Sequence, residues 1–527
     1  MRHGRNQDHL SWNDAAFLYL EREGVPLHIA SVNLLEGFLS LADCIRFVES
    51  KIPLVPRYRQ RVVAPLFNIG LPTWEFDPDF DVRNHIWEVT LKHGTDAELK
   101  ALAGKILGTL MDRQRPLWDI ALVRGLKGGR TGFISRVHHC LADGVAGVGL
   151  MNAIMDASPA FPPLSKKPPR FRVPPPQDPW ISLLGRWMNS YADGIKQALK
   201  AQSDALNIAE TIATGGQALP MDKLTKLLPE LAAPTEALHF NVTCRGPQKL
   251  AWVTFPLAYI KAIKDARGCT FNDVALALVT STIRLYAALH GDRIKGRLLR
   301  IMVPVSLRSN GNTGELGNVV SMIPVTIPLD IRNPRTLLAA VHERMEFLKS
   351  AHVAELVSLA GGLPGILPPR LQALIGPLAS QLQGAPFNLV CTNVPGPQFP
   401  LYLMGHRMLT WYPYVPIGGD TAVNCAIVSY DGTVYFGFTG DAQAAPDLAR
   451  LEKFLKSSAK ELGEAAGVHL PPKQRVRPQV KTAAVPVVVP IETRRKRTPA
   501  PAIHSAAGLS PKPRRTMEHK QVLTTVA

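Results

Sequence analysis

Phe133-Ile-Ser-Arg-Val-His-His-Cys-Leu-Ala-Asp-Gly-Val145 is the stretch around which the chain is organised. Its period changes in the middle. Up to His139 the residues alternate: Phe133, Ser135, Val137 and His139 fall on one face of an expected strand, and Ile134, Arg136 and His138 on the other. From Ala142 to Ser158 the period becomes helical, with Val145, Val148, Met151, Ile154 and Met155 along one stripe. The reading is strand, turn, helix, with His138 and His139 at the strand end and Asp143-Gly144 at the turn. A side chain there is held by the sheet behind it and open in front. Histidine titrates closest to neutral pH, so it can take a proton from a hydroxyl and return it. A hydrogen-bonded structural pair is the other reading of two adjacent histidines. No further His, Cys or Glu lies nearby at ligand spacing, so no metal is expected.

Working outward, Arg115-Pro-Leu-Trp-Asp-Ile-Ala-Leu-Val-Arg124 reads as a strand, and the glycine-rich turn 125–129 joins it to the histidine strand as a hairpin. Pro116, Leu117 and Trp118 therefore enter the strand beside the histidines, either as packing or as part of a site. Upstream, Ser11 is placed to cap a helix over 10–21, followed by a strand at 28–35, a helix at 41–51, an exit loop at 56–63, a strand at 86–91 and a helix at 95–111. Three aspartates at 77, 79 and 81 read as a solvated loop rather than a cation site, because no glycine-centred loop follows. Residues 161–179 are proline-rich and read as a semi-rigid crossover, and 180–238 as amphipathic helix. A second strand–helix series starts at Lys249. It holds a long helix opened by Thr270-Phe-Asn-Asp273, strands at 300–308, 319–327 and 388–394, a hairpin around Tyr430-Asp431-Gly432, and a closing helix at 447–465. The expected fold class is α/β, with a first domain at 1–160, a linker at 161–240, a second domain at 241–470 and a basic disordered tail at 471–527.

The six cysteines are scattered without paired spacing, as in a reduced, cytoplasmic protein, and the first ten residues lack the apolar core of a secretory leader. Residues 371–406 carry no charge, but prolines and glycines interrupt them too often for a spanning helix. The net charge of +18 is concentrated in the tail, where twelve Lys/Arg face two Glu. Such a tail is attracted to an anionic membrane or lipid-droplet surface, and nonspecific nucleic-acid binding or a plain solubilising extension are the other readings. Nothing elsewhere reads as a groove-reading nucleic-acid motif, so no specific nucleic acid is expected.

Asp14-Ala-Ala-Phe17, Pro116-Leu-Trp118, His138-His-Cys-Leu-Ala-Asp-Gly144, Asn272-Asp273, Pro304-Val-Ser-Leu-Arg308 and Asn393-Val-Pro-Gly-Pro397 occur in an order and spacing that resembles the bacterial wax ester synthase / acyl-CoA:diacylglycerol acyltransferase family. The resemblance runs from about Leu10 to about Leu470. It implies two chloramphenicol-acetyltransferase-like domains, each a mixed sheet with helices, and an active-site tunnel between them. It implies transfer of a fatty acyl group from acyl-CoA, as co-substrate, to diacylglycerol or a long-chain alcohol. By motif position, His139 is the general base, Asp143 orders the loop, and His138 and Gly144 shape it. Pro116, Leu117 and Trp118 belong to the acceptor side, and Asn272 is the nominated oxyanion donor. Cys140 points away from the face of His139 and is left out. Two alternatives stay open at this level: a same-fold enzyme using a carrier-protein thioester, and a non-catalytic lipid-binding member.

Overall fold

The computed structural model describes residues 10–64, 71–142, 144–160, 235–306, 320–351, 353 and 386–470. The expectations for the crossover and helical linker up to residue 234, for Asp143, for Arg308 and for the basic tail lie outside them.

Local signals place the first elements. Ser11 accepts the Asp14 N–H and opens α1 (Trp12–Leu20), which ends at Glu21. β1 (His28–Leu35) follows, then α2 (Leu41–Lys51), opened by Ser40 in the same way. The expected exit loop is in part a strand: β2 (Gln60–Val63) pairs with β3 (Thr73–Phe76). Next come β4 (Ile86–Thr90), α3 (Asp96–Leu107), β5 (Trp118–Leu126), β6 (Arg130–His138) and α4 (Gly144–Ile154). α3 ends at Leu107, capped by Gly108, four residues before the apolar period would end it.

The second series is β7 (Gln248–Pro256), α5 (Leu257–Arg267), α6 (Phe271–Leu289), β8 (Leu298–Ser306), β9 (Val320–Pro328), α7 (Pro334–Ser350), β10 (Leu389–Pro395), β11 (Tyr402–Leu403), β12 (His406–Tyr414), β13 (Val423–Tyr430), β14 (Thr433–Asp441) and α8 (Arg450–Ala466). Asp431 and Gly432 both take positive φ in the β13–β14 hairpin turn.

Two six-stranded sheets result, in the orders β11-β12-β1-β6-β5-β4 and β7-β14-β13-β10-β8-β9. Both are mixed: β4–β5 is parallel in the first, β10–β13 and β10–β8 in the second. The α/β class with two mixed sheets is as expected. The boundary at residue 241 is not clean, because β11 and β12 cross back and extend the first sheet, β12 pairing antiparallel with β1. The return strand also packs on the second sheet. Trp252 of β7 stacks on Tyr412 of β12 at 4.3 Å, and a side chain at Gly437 of β14 would strike the Pro413 carbonyl. Residues 10–470 accordingly lie within one compact unit.

α6 is buried along most of its length, with Leu276, Leu278, Ile283 and Tyr286 inside the core of the second half. Val32, Val123 and Ile134 of the first sheet pack on Leu99, Ala103 and Leu107 of α3. Among the described residues no helix is long and apolar enough to cross a membrane.

Candidate active site

The opposite side of the first sheet does not close on a helix over its whole length. Between it, α4 and the edge of the second sheet lies a cavity of about 1140 Å³. Phe133, Ser135 and Val137 of β6 and His139 beyond it share that wall, as the period-two reading of the strand requires. From the second half, Val390, Thr392, Asn393 and Val394 of β10 face the same space. Gly144, at the start of α4, lies close against β10 of the second half: a Cβ there would meet the Val394 side chain at 3.1 Å.

The two histidines have opposite surroundings. His139 stays partly exposed in the cavity wall, and its ring stacks on Phe17 of α1 with centroids 4.0 Å apart and planes 5° apart. Its backbone N–H donates to the Leu27 carbonyl at 2.9 Å. His138 is fully buried. Its backbone N–H donates to the Leu117 carbonyl at 2.9 Å, and its Nδ1 accepts the Cys140 N–H at 3.1 Å. An accepting Nδ1 places the ring proton on Nε2. Nε2 lies 3.2 Å from Glu21 Oε1, at an angle too oblique for a well-formed hydrogen bond, so the contact is chiefly electrostatic.

Glu21 is the residue that sequence reasoning missed. Its Oε1 accepts the Leu27 N–H at 3.0 Å, and its Oε2 receives Arg113 Nη2 at 2.9 Å. Burial alone would raise its carboxyl. The close approach and charge of His138, the Leu27 N–H and Arg113 outweigh burial and hold it at about 2. One carboxylate thus braces the His138 ring and the segment whose carbonyl holds the His139 backbone. In sequence Glu21 is only an acid at a helix end, and the role of Phe17 was equally invisible.

Trp118 lines the cavity, stacks between Tyr58 at 4.7 Å and His85 at 4.5 Å, and donates its indole N–H to the Tyr58 carbonyl at 2.8 Å. Pro116 and Leu117 are buried behind it and do not line the cavity; the carbonyl of Leu117 serves the backbone of His138. Asn272 also stands apart from the cavity, on the first turn of α6. Its neighbour Asp273 closes a capping box with Thr270 and meets His342 Nδ1 at 2.8 Å. The pair is placed by helix capping in the second half, so Asn272 is withdrawn as the oxyanion donor. Cys140 is buried beneath the motif, where burial first, then the charges of Asp14 and Glu21, push its thiol well above the usual range.

The chemistry available is that of a histidine in a nearly charge-free pocket. Among the described residues, the only charged side chains in the wall are Asp119 and Arg136, bound to each other at 2.7 Å. The volume exceeds that of a pocket for a drug-sized ligand, roughly 300–1,000 Å³. Among the described residues no group of three metal-ligating side chains occurs.

Two mixed sheets meeting at such a pocket, with a histidine from a strand-to-helix turn in its wall, define an acyltransferase of the two-domain α/β class. Residues 10–275 match the pattern described as the wax ester synthase/diacylglycerol acyltransferase catalytic domain, and residues 316–463 the WS/DGAT C-terminal domain; the chain belongs to this family. It is similar to the Mycobacterium tuberculosis proteins named "Probable diacyglycerol O-acyltransferase tgs1" and tgs2. Identity is 28% over 466 residues for the first (86% of this chain, 96% of that one) and 29% over 469 residues for the second (86% and 99%). The fold matches the wax ester synthase/diacylglycerol acyltransferase of Marinobacter aquaeolei VT8, with a TM-score of 0.60, 24% identity and coverage of 87% of this chain and 100% of that one. It also matches the first condensation domain of the CDA synthetase, with a TM-score of 0.54, 14% identity and coverage of 88% and 98%.

Proposed function

We propose that the chain moves a fatty acyl group from an acyl-CoA thioester to the hydroxyl of diacylglycerol, giving triacylglycerol, or of a long-chain alcohol, giving a wax ester. The observation that carries this reading is His139 in the wall of a large, almost charge-free cavity between the two sheets. His139 accepts the acceptor's hydroxyl proton as its oxygen attacks the thioester carbonyl. The tetrahedral intermediate collapses, the C–S bond breaks, and the CoA thiolate takes the proton back from His139. No acyl-enzyme is required, and among the described residues no cysteine lines the cavity. Asp143 orders the loop that carries the base, and His138 and Gly144 hold its shape. Thr392 and Asn393 bring polar groups from the second half to the same cavity, where a developing oxyanion needs donors. Long acyl chains reside in lipid, so the protein works at a membrane or droplet surface from the cytoplasmic side. Its basic tail supplies about 1 kcal/mol of attraction per basic residue near an anionic surface.

The test is CoA release from palmitoyl-CoA with dioleoylglycerol or hexadecanol as acceptor. Acceptor-dependent release by the wild type, lowered about 10²–10⁴-fold by His139→Ala, is the expected result. A folded wild type that releases no CoA with either acceptor refutes the reading.

A further inference from the structure

The cavity wall has a polar feature that the reaction does not use. Ser31 of β1 and Ser135 of β6 face each other across the paired strands, with their Oγ atoms 3.2 Å apart, and both line the cavity. Behind them Asn33, fully buried, donates its Nδ2 to Ser31 Oγ at 2.9 Å. Each hydroxyl has one hydrogen to give. Ser31 already accepts from Asn33, and a single hydrogen joins the two serines. Whichever serine donates in that bond, the hydrogen of the other remains without an acceptor among the described residues. A buried, oriented donor in an apolar cavity is costly unless a ligand supplies the acceptor.

Position says which acceptor. Ser135 is on the same face as His139 and four residues before it, about 13 Å away at roughly 3.3 Å per residue. That is too far for the reacting carbonyl. An acceptor that hydrogen-bonds His139 through its hydroxyl and lies extended along β6 brings the group six bonds further on to Ser135, a hydrogen bond of about 2.8 Å at each end covering the rest of that distance. In a long-chain alcohol that is methylene. In a diacylglycerol it is an ester carbonyl, a neutral oxygen that accepts but does not donate. The nearby Arg136 and Asp119 neutralise each other, so among the described residues the site carries no net charge, which suits an uncharged oxygen and not a phosphate.

We infer that the Ser31–Ser135 hydroxyl pair, held from behind by Asn33, is a recognition site for an ester carbonyl of diacylglycerol and favours it over simple long-chain alcohols. The inference rests on the acyl-transfer reading above. The amide carbonyls of the pantetheine arm are the other neutral acceptors that could enter the cavity, and the test separates them.

CoA release from palmitoyl-CoA is measured for wild type, Ser135→Ala and Ser135→Thr with three acceptors: dioleoylglycerol, its dioleyl ether analogue, which lacks both carbonyls, and hexadecanol. The wild type is expected to prefer the diester to the diether roughly 3- to 10-fold in kcat/KM, the range for one neutral hydrogen bond. Ser135→Ala should erase that preference, leave hexadecanol turnover and the KM for palmitoyl-CoA unchanged, and be rescued by Ser135→Thr, which keeps the hydroxyl. Equal rates with diester and diether in the wild type overturn the inference, as does an equal loss with all three acceptors. A raised KM for palmitoyl-CoA with every acceptor also overturns it, by assigning the pair to pantetheine. Failure of the folded wild type to use any acceptor is a different outcome and removes the reaction itself.

Discussion

The first sheet shows one side to α3 and the other to the cavity, and the two differ in how they handle charge. Towards α3, Arg136 is 7% exposed and fully engaged: it pairs with Asp119, with which it also borders the cavity, and donates to the Ile106 and Thr109 carbonyls at the end of α3. His138, on the same side, is braced by Glu21 and Arg113. On the cavity side, β6 presents Phe133, Ser135 and Val137, then His139. Neighbouring residues of one strand therefore do opposite work. The buried charges fix the strand. The cavity side, where Arg136 and Asp119 neutralise each other, leaves the His139 ring facing space that suits a lipid, where electrostatic effects on a developing charge are stronger than in water.

The contrast is broken most severely at the two histidines. His139→Ala should lower kcat about 10²–10⁴-fold with the melting temperature almost unchanged, whereas His138→Ala should lower the melting temperature, because it leaves Glu21 and the Cys140 N–H short of a partner. Comparing kcat with thermal unfolding of both variants checks this; equal kinetic loss with equal stability would merge the two roles.

Next in size is the charged lock on the α3 side. Arg136→Ala strands Asp119, whose carboxyl is already pushed up by burial against the pull of Arg136. Urea unfolding should register a loss of about 3–5 kcal/mol. A loss below about 1 kcal/mol would mean the pair is solvated.

Acid sharpens the comparison further. Glu21 is held at about 2 in the folded protein against an ordinary 4.5, so its contribution is present above pH 4.5 and is lost as the pH falls towards 2. Glu21→Gln should flatten the stability–pH curve in that window and leave it parallel to wild type above it. His28, paired across β1–β6 with His138, is buried, and burial, then the charges of Arg136 and His138, depress it well below 6.5. The unfolded chain takes up its proton first, so stability also falls as the pH drops below about 6.5. The smallest effect is expected at the cavity rim: Trp118→Phe loses the bond to the Tyr58 carbonyl, about 1 kcal/mol by thermal unfolding, while keeping the ring stack.

Much of this was legible locally. Ser11, Ser40, Thr95 and Thr270 all cap helices where a hydroxyl precedes an apolar period, and the alternation from Phe133 to His139 assigned the cavity face of β6 correctly. The misses were non-local. β12 carries Pro413 and weak alternation, and it is a strand because β1, distant in the chain, offers it an edge. Glu21 gains its depressed carboxyl only when Leu27, Arg113 and His138 converge on it. Asn272 was read from its motif rather than its environment, and the helix start explains its place.

The sequence by itself determined most of the helices and central strands, the caps at Ser11 and Thr270, the face of β6 that carries His139 and the family to which the order of motifs belongs. These depend on periodicity and on residues a few positions apart, and such information is written along the chain. The tertiary structure alone decided that β12 joins the first sheet, that β10 completes the cavity, that Glu21 braces His138, and that the Ser31 and Ser135 hydroxyls meet with a hydrogen left to donate. Each of these needs two or more segments far apart in sequence to be brought within hydrogen-bonding or packing distance. Only the closing of the two sheets on one another sets those distances.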